Sequence, residues 1–245
     1  MSHTLPVYLF TDYGLHGPYV GLLRAAIRRT GCRSEIIDLQ HDAPAFRPYS
    51  AGVLLAAQLA YLPRESVVLA VVDPGVGGER DGLVLHLSGI CLVGPDNGLF
   101  APLLDRADSV ARIDWLPPDI SASFHGRDWF APVAAAEATG QPLRQTEVSP
   151  RDCVGYGAGK EIQRIIYCDK FGNAMTGIHA AGLGAARLLR VGPHQLNRAR
   201  TFGRVPEGEA FWYCNSLGLV EVAINQGNAM ERLKLKVGDP VVVLA

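Results

Sequence analysis

Two charged residues follow a predicted buried strand in the middle of the chain. Asp73 ends the apolar run 66–72, and Arg80 lies seven residues further on, across a loop rich in proline and glycine. In open α/β sheets, ligands bind at the carboxyl ends of the strands. Asp73 could therefore orient or deprotonate a nucleophile, with Arg80 keeping it ionised. The alternative is a surface ion pair that braces the glycine loop.

Two further polar residues of the first half stand after a predicted strand or in a loop, where functional groups concentrate. Asp12 follows the first strand and could accept hydrogen bonds from a diol such as a ribose, or it could cap a helix. His125 precedes an alanine-rich segment. It could act as a base, as a donor or as an orienting group, although a lone loop histidine is more often none of these.

The second half carries two polar clusters. Asp169, Phe171 and Asn173 provide a carboxylate, an aromatic face and an amide within five residues. That set suits an ammonium group and a flat base, but the same residue types also favour a β-turn. Further on, Ser216 in the segment Asn-Ser-Leu-Gly could present a hydroxyl and backbone N–H groups to a carboxylate, or simply form a hairpin turn.

The elements that must position these residues alternate in the first half of the chain. Strands are predicted at 6–11, 35–39, 66–72, 83–87, 90–93 and 109–113, and helices at 17–30, 48–62, 99–104 and 127–139. Ser88 and Gly89 separate two strands and predict a hairpin. Strands that alternate with helices indicate an α/β fold, here a Rossmann-like three-layer domain with a mostly parallel sheet, over residues 1–148.

The pattern changes after residue 148. Glycine-rich residues 149–160 predict a linker. Beyond it, helical spacing is scarce and glycines punctuate short apolar runs. Strands are predicted at 162–168, 210–214, 219–225 and 240–244. This pattern predicts a smaller C-terminal antiparallel domain, barrel-like in form, over residues 161–245.

Composition excludes several classes of function. The chain has 245 residues and a net charge of −1, with no basic stripe, so a nucleic-acid partner is not expected. No apolar run has the length of a membrane span, and no signal peptide is predicted. The five cysteines are scattered without metal-ligand spacing, so we expect reduced thiols, no metal site and a cytoplasmic location.

Six short motifs occur in the order in which one enzyme family carries them. They are TDYG at 11–14, VDPGVG with a following arginine at 72–80, GPDNGL at 94–99, FHGRD at 124–128, DKFGN at 169–173 and NSLGLVEVAINQGNA at 215–229. Together they span nearly the whole chain. The sequence resembles the S-adenosylmethionine (SAM) hydroxide adenosyltransferases, SAM hydrolases that form adenosine and methionine and are related to the fluorinating and chlorinating SAM enzymes.

The resemblance implies a role for each matched residue. Asp73, Arg80 and His125 match the family's catalytic set. The other matches are substrate contacts: Asp12 for the ribose hydroxyls, Phe46 beside the ligand, Asp169 for the methionine ammonium, Phe171 and Asn173 for the adenine, and Ser216 for the methionine carboxylate. The resemblance further implies a homotrimer in which each site lies between the N-terminal domain of one subunit and the C-terminal domain of the next.

Departures from the halogenating relatives bear on the nucleophile. Those enzymes have tyrosine at the position of Asp73 and arginine at the position of Leu217, so the sequence favours water over halide. Gly177 stands where family members often have asparagine. Two alternatives stay open: a halogenase that forms 5′-halo-5′-deoxyadenosine, and a protein that binds adenosine or SAM without turnover. A methyltransferase is disfavoured, because the first strand lacks the usual glycine-rich loop.

The implied chemistry fits these residues. A sulfonium leaves as a neutral thioether, so no general acid, cofactor or metal is needed. The task is to place water in line behind C5′, and positioning of this kind can contribute roughly 7–11 kcal/mol. Either Asp73 or His125 could take the proton of the water, and the sequence does not choose between them.

Overall fold

The computed structural model describes residues 4–181, 183 and 188–244. The chain divides into two compact units. The first comprises the residues up to 55 together with 59–160, and the second comprises 56–58 together with the residues from 161 onward. Because each unit has its own core, each is described by itself.

A seven-stranded sheet forms the centre of the first unit. Its strands are β1 (Val7–Thr11), β2 (Ile36–Gln40), β3 (Ser66–Val71), β4 (Gly82–Leu87), β5 (Ile90–Pro95), β6 (Ser109–Ile113) and β7 (Gln145–Glu147). They are arranged in the order β2-β1-β3-β5-β4-β6-β7. β1, β2, β3 and β5 pair in parallel, whereas β4 and β7 run against their neighbours. Five of the seven strands therefore run in one direction, which confirms a mixed α/β fold with a mostly parallel sheet.

Three helices belong to this half of the chain. They are α1 (Tyr19–Arg29), α2 (Pro48–Leu59) and α3 (Ala131–Thr139). α1 and α3 cover one face of the sheet, where Leu23 and Ile27 are fully buried with alternate residues of β1 and β3. Full burial of a leucine or isoleucine side chain contributes about 1.5–3 kcal/mol. A π-helical turn, Gly126–Phe130, leads directly into α3, and such turns are common at functional sites.

Local sequence signals predicted one turn and missed another. Ser88 and Gly89 both adopt positive φ, 52° and 84°, as a tight hairpin turn between antiparallel strands requires. The predicted helix at 99–104 is wrong. The structure has turns there, followed by a 3₁₀ helix at Leu104–Arg106. Pro102 lies within this stretch and has no N–H to donate to a helical ladder.

The second unit contains seven short strands and one helical turn. They are β8 (Ile162–Cys168), β9 (Ala174–His179), β10 (Leu189–Val191), β11 (His194–Leu196), β12 (Ala210–Cys214), β13 (Leu219–Ile224), α4 (Ala229–Arg232) and β14 (Val241–Val243). The strands pair as two separate antiparallel sheets, β12-β13-β9-β8 and β11-β10-β14. The predicted antiparallel character is therefore confirmed, whereas these ladders do not by themselves close a barrel.

The core of the second unit lies between these sheets. Trp212, Val220 and Val222 are fully buried there. Gly177 stands in β9 opposite Ile162, and a Cβ on Gly177 would lie 2.1 Å from the Cγ2 of Ile162. This position therefore excludes a side chain for a packing reason. Among the described residues, no helix is long and apolar enough to cross a membrane.

Candidate active site

Three polar residues meet at one edge of the large sheet. Asp12 follows β1, Asp73 comes two residues after β3, and Asn97 comes two residues after β5. These strands are parallel neighbours, so their carboxyl ends lie side by side. This is the edge at which open α/β sheets bind ligands.

Asp73, Arg80 and His125 form one contiguous network. The Nε of Arg80 donates to both carboxylate oxygens of Asp73, at 2.9 and 3.1 Å, and the Nη2 of Arg80 also pairs with Oδ2. The same Nη2 lies 3.0 Å from the Nδ1 of His125. The side chains of Asp73 and Arg80 are only 4% and 10% exposed. A buried bidentate pair of this kind fixes the carboxylate geometrically, so the alternative of a surface ion pair is wrong.

The contact with Arg80 defines the protonation of His125. A guanidinium only donates hydrogen bonds, so the Nδ1 of His125 must accept, and the proton of the neutral ring resides on Nε2. His125 is buried. Burial and the charge of Arg80 lower the pKa of His125 below its ordinary 6.5, whereas the carboxylates of Asp73 and Asp128 oppose that shift. His125 is therefore a neutral donor at neutral pH.

Two loops hold Asp12 and Phe46 at the same edge. The N–H of Ala43 donates to the carbonyl of Thr11, and the N–H of Gly14 donates to the carbonyl of His41, which ties the loop after β1 to the loop after β2. Phe46 has a φ of 59° and a side chain that is 78% exposed. A positive φ in a bulky residue costs about 1–3 kcal/mol and persists where the surroundings enforce it.

Asp12 carries an electrostatic signature of a binding site. Burial is the main cause that raises the pKa of Asp12 above its ordinary 3.8, and the charge of Asp73 raises it further. The backbone amide of Phe46 opposes the shift by a hydrogen bond. Two neighbouring carboxylates that share a partly buried edge favour a cationic or a hydrogen-bond-donating ligand between them.

A cavity of about 410 Å³ connects these residues. Asp12, Phe46, Asp73 and His125 all contribute to its wall, whereas Arg80 lies behind Asp73 and is not a wall residue. Its other lining residues are mainly apolar or aromatic: Tyr13, Tyr19, Ala45, Val71, Pro74, Val76, Ser123, Phe124 and Gly126. A few polar groups in a mostly apolar cleft of this size are typical of small-molecule sites.

Asn97 is a residue of the site that the sequence did not single out. Its Nδ2 donates to the carbonyl of Val72 at 2.9 Å and to the Oδ1 of Asp73 at 3.3 Å, and its Oδ1 accepts from the N–H of Leu99 at 3.2 Å. Asn97 therefore holds both the backbone and the carboxylate at the end of β3. The motif at 94–99 was the available signal, but nothing in it indicated which residue faces Asp73.

Tyr13 is a second such residue. It packs edge-on against Phe124, with ring centroids 5.6 Å apart, and it lines the cavity. A Cβ on Gly126 would lie 2.1 Å from the hydroxyl oxygen of Tyr13. The glycine of the motif at 124–128 therefore leaves room for an aromatic side chain from the motif at 11–14, a relation that only the folded chain reveals.

The second unit places Asp169, Phe171 and Asn173 around a cavity of about 600 Å³. The Oδ1 of Asp169 accepts from the N–H groups of Phe171 and Asn173, both at 2.9 Å, and its Oδ2 accepts from the Nδ2 of Asn173 at 2.9 Å. The β-turn that these residue types favour is present, since the N–H of Gly172 donates to the carbonyl of Asp169 at 3.0 Å, and the side chain of Asp169 shapes it. Phe171 projects outward and is 66% exposed.

Other residues complete that cavity. Phe202, Tyr213, Ile224, Gln226 and Gly227 line it as well. Ser216 is not one of the lining residues; it lies on the neighbouring turn at 215–218, whose Gly218 N–H donates to the carbonyl of Asn215. The sequence predicted Ser216 together with the turn residues, but it gave no signal for Phe202.

A buried polar network supports the turn that carries Ser216. Asn215 accepts hydrogen bonds from the N–H groups of Leu217 and Leu219, both at 3.0 Å, and its Nδ2 donates to Glu221 at 2.6 Å. Tyr213 donates to the other carboxylate oxygen of Glu221 at 2.7 Å. Glu221 is 2% exposed, and burial raises its pKa. Its hydrogen bonds offset the cost of burying it.

Comparison with known proteins identifies the family. Residues 7–147 match the SAM hydroxide adenosyltransferase N-terminal domain, and residues 163–242 match the SAM hydroxide adenosyltransferase C-terminal domain. The chain belongs to the SAM hydroxide adenosyltransferase family. Both halves of this adenosyltransferase family member contain residues that the sequence predicted for the site.

Two curated relatives match the chain over nearly their full length. The chain is 40% identical over 259 residues to the (R)-S-adenosyl-L-methionine hydrolase of Thermus thermophilus, covering 98% of this chain and 99% of the relative. It is 36% identical over 264 residues to the protein of the same name from Salinispora tropica, covering all of both chains. The sequence is thus aligned with both relatives from end to end.

Solved structures agree with this assignment. The chain is similar to an uncharacterized conserved protein from Thermotoga maritima, with a TM-score of 0.84 and 30% identity, covering 98% of this chain and 100% of the other. It is also similar to a conserved hypothetical protein from Thermus thermophilus, with a TM-score of 0.78, 38% identity and the same coverage. These two solved structures therefore share the fold of this chain over nearly its whole length.

Proposed function

We propose that this protein hydrolyses S-adenosyl-L-methionine to adenosine and L-methionine. The observation that carries the proposal is the buried Asp73–Arg80–His125 network at the wall of a ligand-sized cavity. Support also comes from the relatives named (R)-S-adenosyl-L-methionine hydrolase, which are similar over the whole chain. Their name directs the proposal to the R epimer at sulfur.

The charges around the cavity suit a sulfonium. Asp12 and Asp73 both contribute to the wall, while Arg80 neutralises only Asp73 from behind. A cationic substrate is attracted to the remaining negative charge. In our proposal the Asp12 carboxylate accepts hydrogen bonds from the ribose hydroxyls, with Phe46 beside the ligand, and this arrangement brings C5′ towards Asp73.

The reaction needs one bond made and one broken. The oxygen of water attacks C5′ as the C5′–S bond breaks, sulfur keeps the electron pair and leaves as methionine, and the water loses a proton. Asp73 is our choice of proton acceptor, because the Nδ1 of His125 already accepts from Arg80. His125, with its proton on Nε2, then acts as a donor that orients the water. A positioned base of this kind contributes typically 10²–10⁴-fold.

Residues of the second unit are proposed to hold the ends of the substrate. We assign Asp169 to the methionine ammonium, Phe171 and Asn173 to the adenine, and Ser216 to the methionine carboxylate. The outward aromatic face of Phe171 suits stacking on a base, and the turn held by Asp169 presents an amide beside it. We propose a homotrimer in which the N-terminal domain (1–148) of one subunit and the C-terminal domain (161–245) of the next form the site. Residues 149–160 link the two domains within each subunit.

We also propose that the enzyme works in the cytoplasm without a cofactor. The five cysteines are free thiols, which suits a reducing compartment. A neutral thioether is a good leaving group without metal or cofactor assistance.

Light scattering coupled to gel filtration tests the proposed trimer. A measured mass near that of one chain would contradict it.

The reaction class is tested by liquid chromatography of SAM incubated with the pure protein in water labelled with oxygen-18, with chloride present. We expect adenosine and methionine in equal amounts, with the label in the 5′-hydroxyl of adenosine. Intact SAM would indicate a binding protein, and 5′-chloro-5′-deoxyadenosine would indicate halide transfer. Either result contradicts the proposal.

The proposed catalytic carboxylate is tested by Asp73→Asn, which keeps the shape of the side chain and removes its charge. We expect kcat to fall at least about 10²-fold. Asp38→Asn is the matched control, since Asp38 makes a similar pair with Arg24 on an exposed surface. An Asp73→Asn enzyme as active as this control would refute the assignment.

A further inference from the structure

Three side chains of metal-ligand type meet in the first unit, away from the cavity. They are His86 of β4, Cys91 of β5 and Glu137 of α3, and one ligand atom of each lies within 4.8 Å of those of the other two. None of the three lines the cavity that holds Asp73 and His125. The cluster is therefore separate from the proposed catalytic network.

The sheet register brings the first two together. His86 and Cys91 stand directly opposite each other in the antiparallel pair of β4 and β5, so their side chains project from the same face with Cβ atoms about 4.5–5.5 Å apart. Cys91 is buried in the core that α3 covers, and Glu137 reaches the pair from that helix. Two strands and a helix are rigid supports, which favour a defined ligand geometry.

The surroundings of Glu137 orient it without neutralising it. Gln145 donates to its Oε1 at 2.5 Å, and the thiol of Cys91 hydrogen-bonds to the same carboxylate. In the described part of the chain, Glu137 has no ion pair with a lysine, arginine or histidine. A hydrogen-bond donor of this kind commonly fixes the orientation of a carboxylate that binds a metal ion.

Cysteine binds a metal ion as the thiolate. A divalent cation would replace the thiol proton. The thiolate and the carboxylate would then balance its two positive charges, with His86 as a neutral third ligand.

We propose that His86, Cys91 and Glu137 bind a divalent transition-metal ion of the zinc type. Sulfur, nitrogen and oxygen donors together suit zinc, whose ligand lengths of about 2.0–2.3 Å place tetrahedral donors about 3.3–3.8 Å apart. His86 is exposed, so its side chain is free to close on the ion, and solvent can fill the fourth position. The bound ion would join the β4–β5 hairpin to α3. The sequence contained no signal for this site, because the three residues have no metal-ligand spacing and only the fold brings them together.

Cobalt(II) is the probe, because a cobalt–thiolate bond gives an absorption band in the near ultraviolet. We expect one equivalent to bind the purified, chelator-treated protein with this band, and zinc to displace it. His86→Ala should weaken binding at least about tenfold, and Cys91→Ser should abolish the band. Cys214→Ser is the control, since Cys214 is an exposed thiol of the other unit, and it should leave the titration unchanged.

The outcomes separate a site from incidental binding. Absence of the band up to millimolar cobalt would overturn the proposal, as would a band that survives in Cys91→Ser. If Cys91→Ser fails to fold by circular dichroism, His86→Ala decides, because that side chain is exposed and its loss should not unfold the chain. Unchanged affinity in His86→Ala would also overturn the proposal.

Discussion

Replacing Arg80 by lysine tests the proposed network most directly. Arg80 serves two partners with one planar group: its Nε and Nη2 bind Asp73, and Nη2 also donates to the Nδ1 of His125 at 3.0 Å. A lysine keeps the positive charge, but its single nitrogen cannot reproduce the fork. The change therefore removes geometry while leaving the net charge of the site intact.

The magnitude follows from the hydrogen bonds that a lysine cannot make. A lysine can keep one charged hydrogen bond to Asp73, but it cannot also supply the second one to Asp73 and the one to His125. A hydrogen bond to a charged group contributes about 1.5–3 kcal/mol, and the side chain of Arg80 is only 10% exposed, so water compensates little. The two lost bonds together are worth about 3–6 kcal/mol, so at about 1.4 kcal/mol for each factor of ten kcat should fall roughly 10²- to 10⁴-fold. KM should change much less, because Arg80 is not a wall residue of the cavity.

Steady-state kinetics of adenosine release measures both parameters. Arg24→Lys is the matched control: Arg24 binds Asp38 through the same two nitrogens, but its side chain is 42% exposed and lies outside the cavity. Thermal unfolding of both variants shows whether the fold is kept. A kcat for Arg80→Lys within about twofold of the control, or a loss confined to KM, would refute the reasoning.

Three further predictions follow from the site. Asn97→Ala removes a hydrogen bond to Asp73 and should lower kcat about tenfold at nearly constant KM; an effect on KM alone in steady-state kinetics would argue against a positioning role. The pKa of Asp12 is raised from 3.8 and that of His125 is lowered from 6.5, so the acid limb of kcat/KM should lie above 3.8. Activity is then lost as pH falls and the two side chains take up protons, and full activity retained down to pH 3.8 would contradict the assignment. Gly126→Ala should raise KM about tenfold, because the new Cβ would lie 2.1 Å from the hydroxyl of Tyr13 and would displace this side chain of the cavity wall. A misplacement of about 1 Å can cost up to 10²-fold in activity. Unchanged kinetics with an unchanged unfolding temperature would show that Tyr13 moves without consequence.

The strands were the part of the fold most open to prediction. β8 and β12 begin and end where their apolar runs predicted, because a strand needs only a short run bounded by turn residues. β9 was missed. Its sequence combines Met175, Thr176 and Gly177, and the glycine lowers its local preference for a strand. Pairing with β8 on one side and β13 on the other stabilises it instead, and β13 is distant from it in the sequence.

Some residues of the candidate site could also be predicted from the sequence, whereas others could not. Asp12 and Asp73 were predicted because they follow apolar strands, and the parallel pairing of β1 and β3 explains why both reach one cavity. Asn97 follows β5 in the same manner, but polar residues after strands are common, and the sequence contained no sign that this one faces Asp73. Whether Asp73 and Arg80 formed a surface pair or a buried one also depended on packing.

The sequence by itself determined the family, the strand-and-helix alternation of the first half and the chemical types available to the site. Motifs and periodicity are local properties, so they can be recognised without knowledge of the fold. Tertiary structure alone decided the tautomer of His125, the support of Asp73 by Asn97 and the meeting of His86, Cys91 and Glu137. Each of these depends on a distance between residues far apart along the chain. Such distances are fixed by strand register and helix packing, which the composition of one segment does not contain.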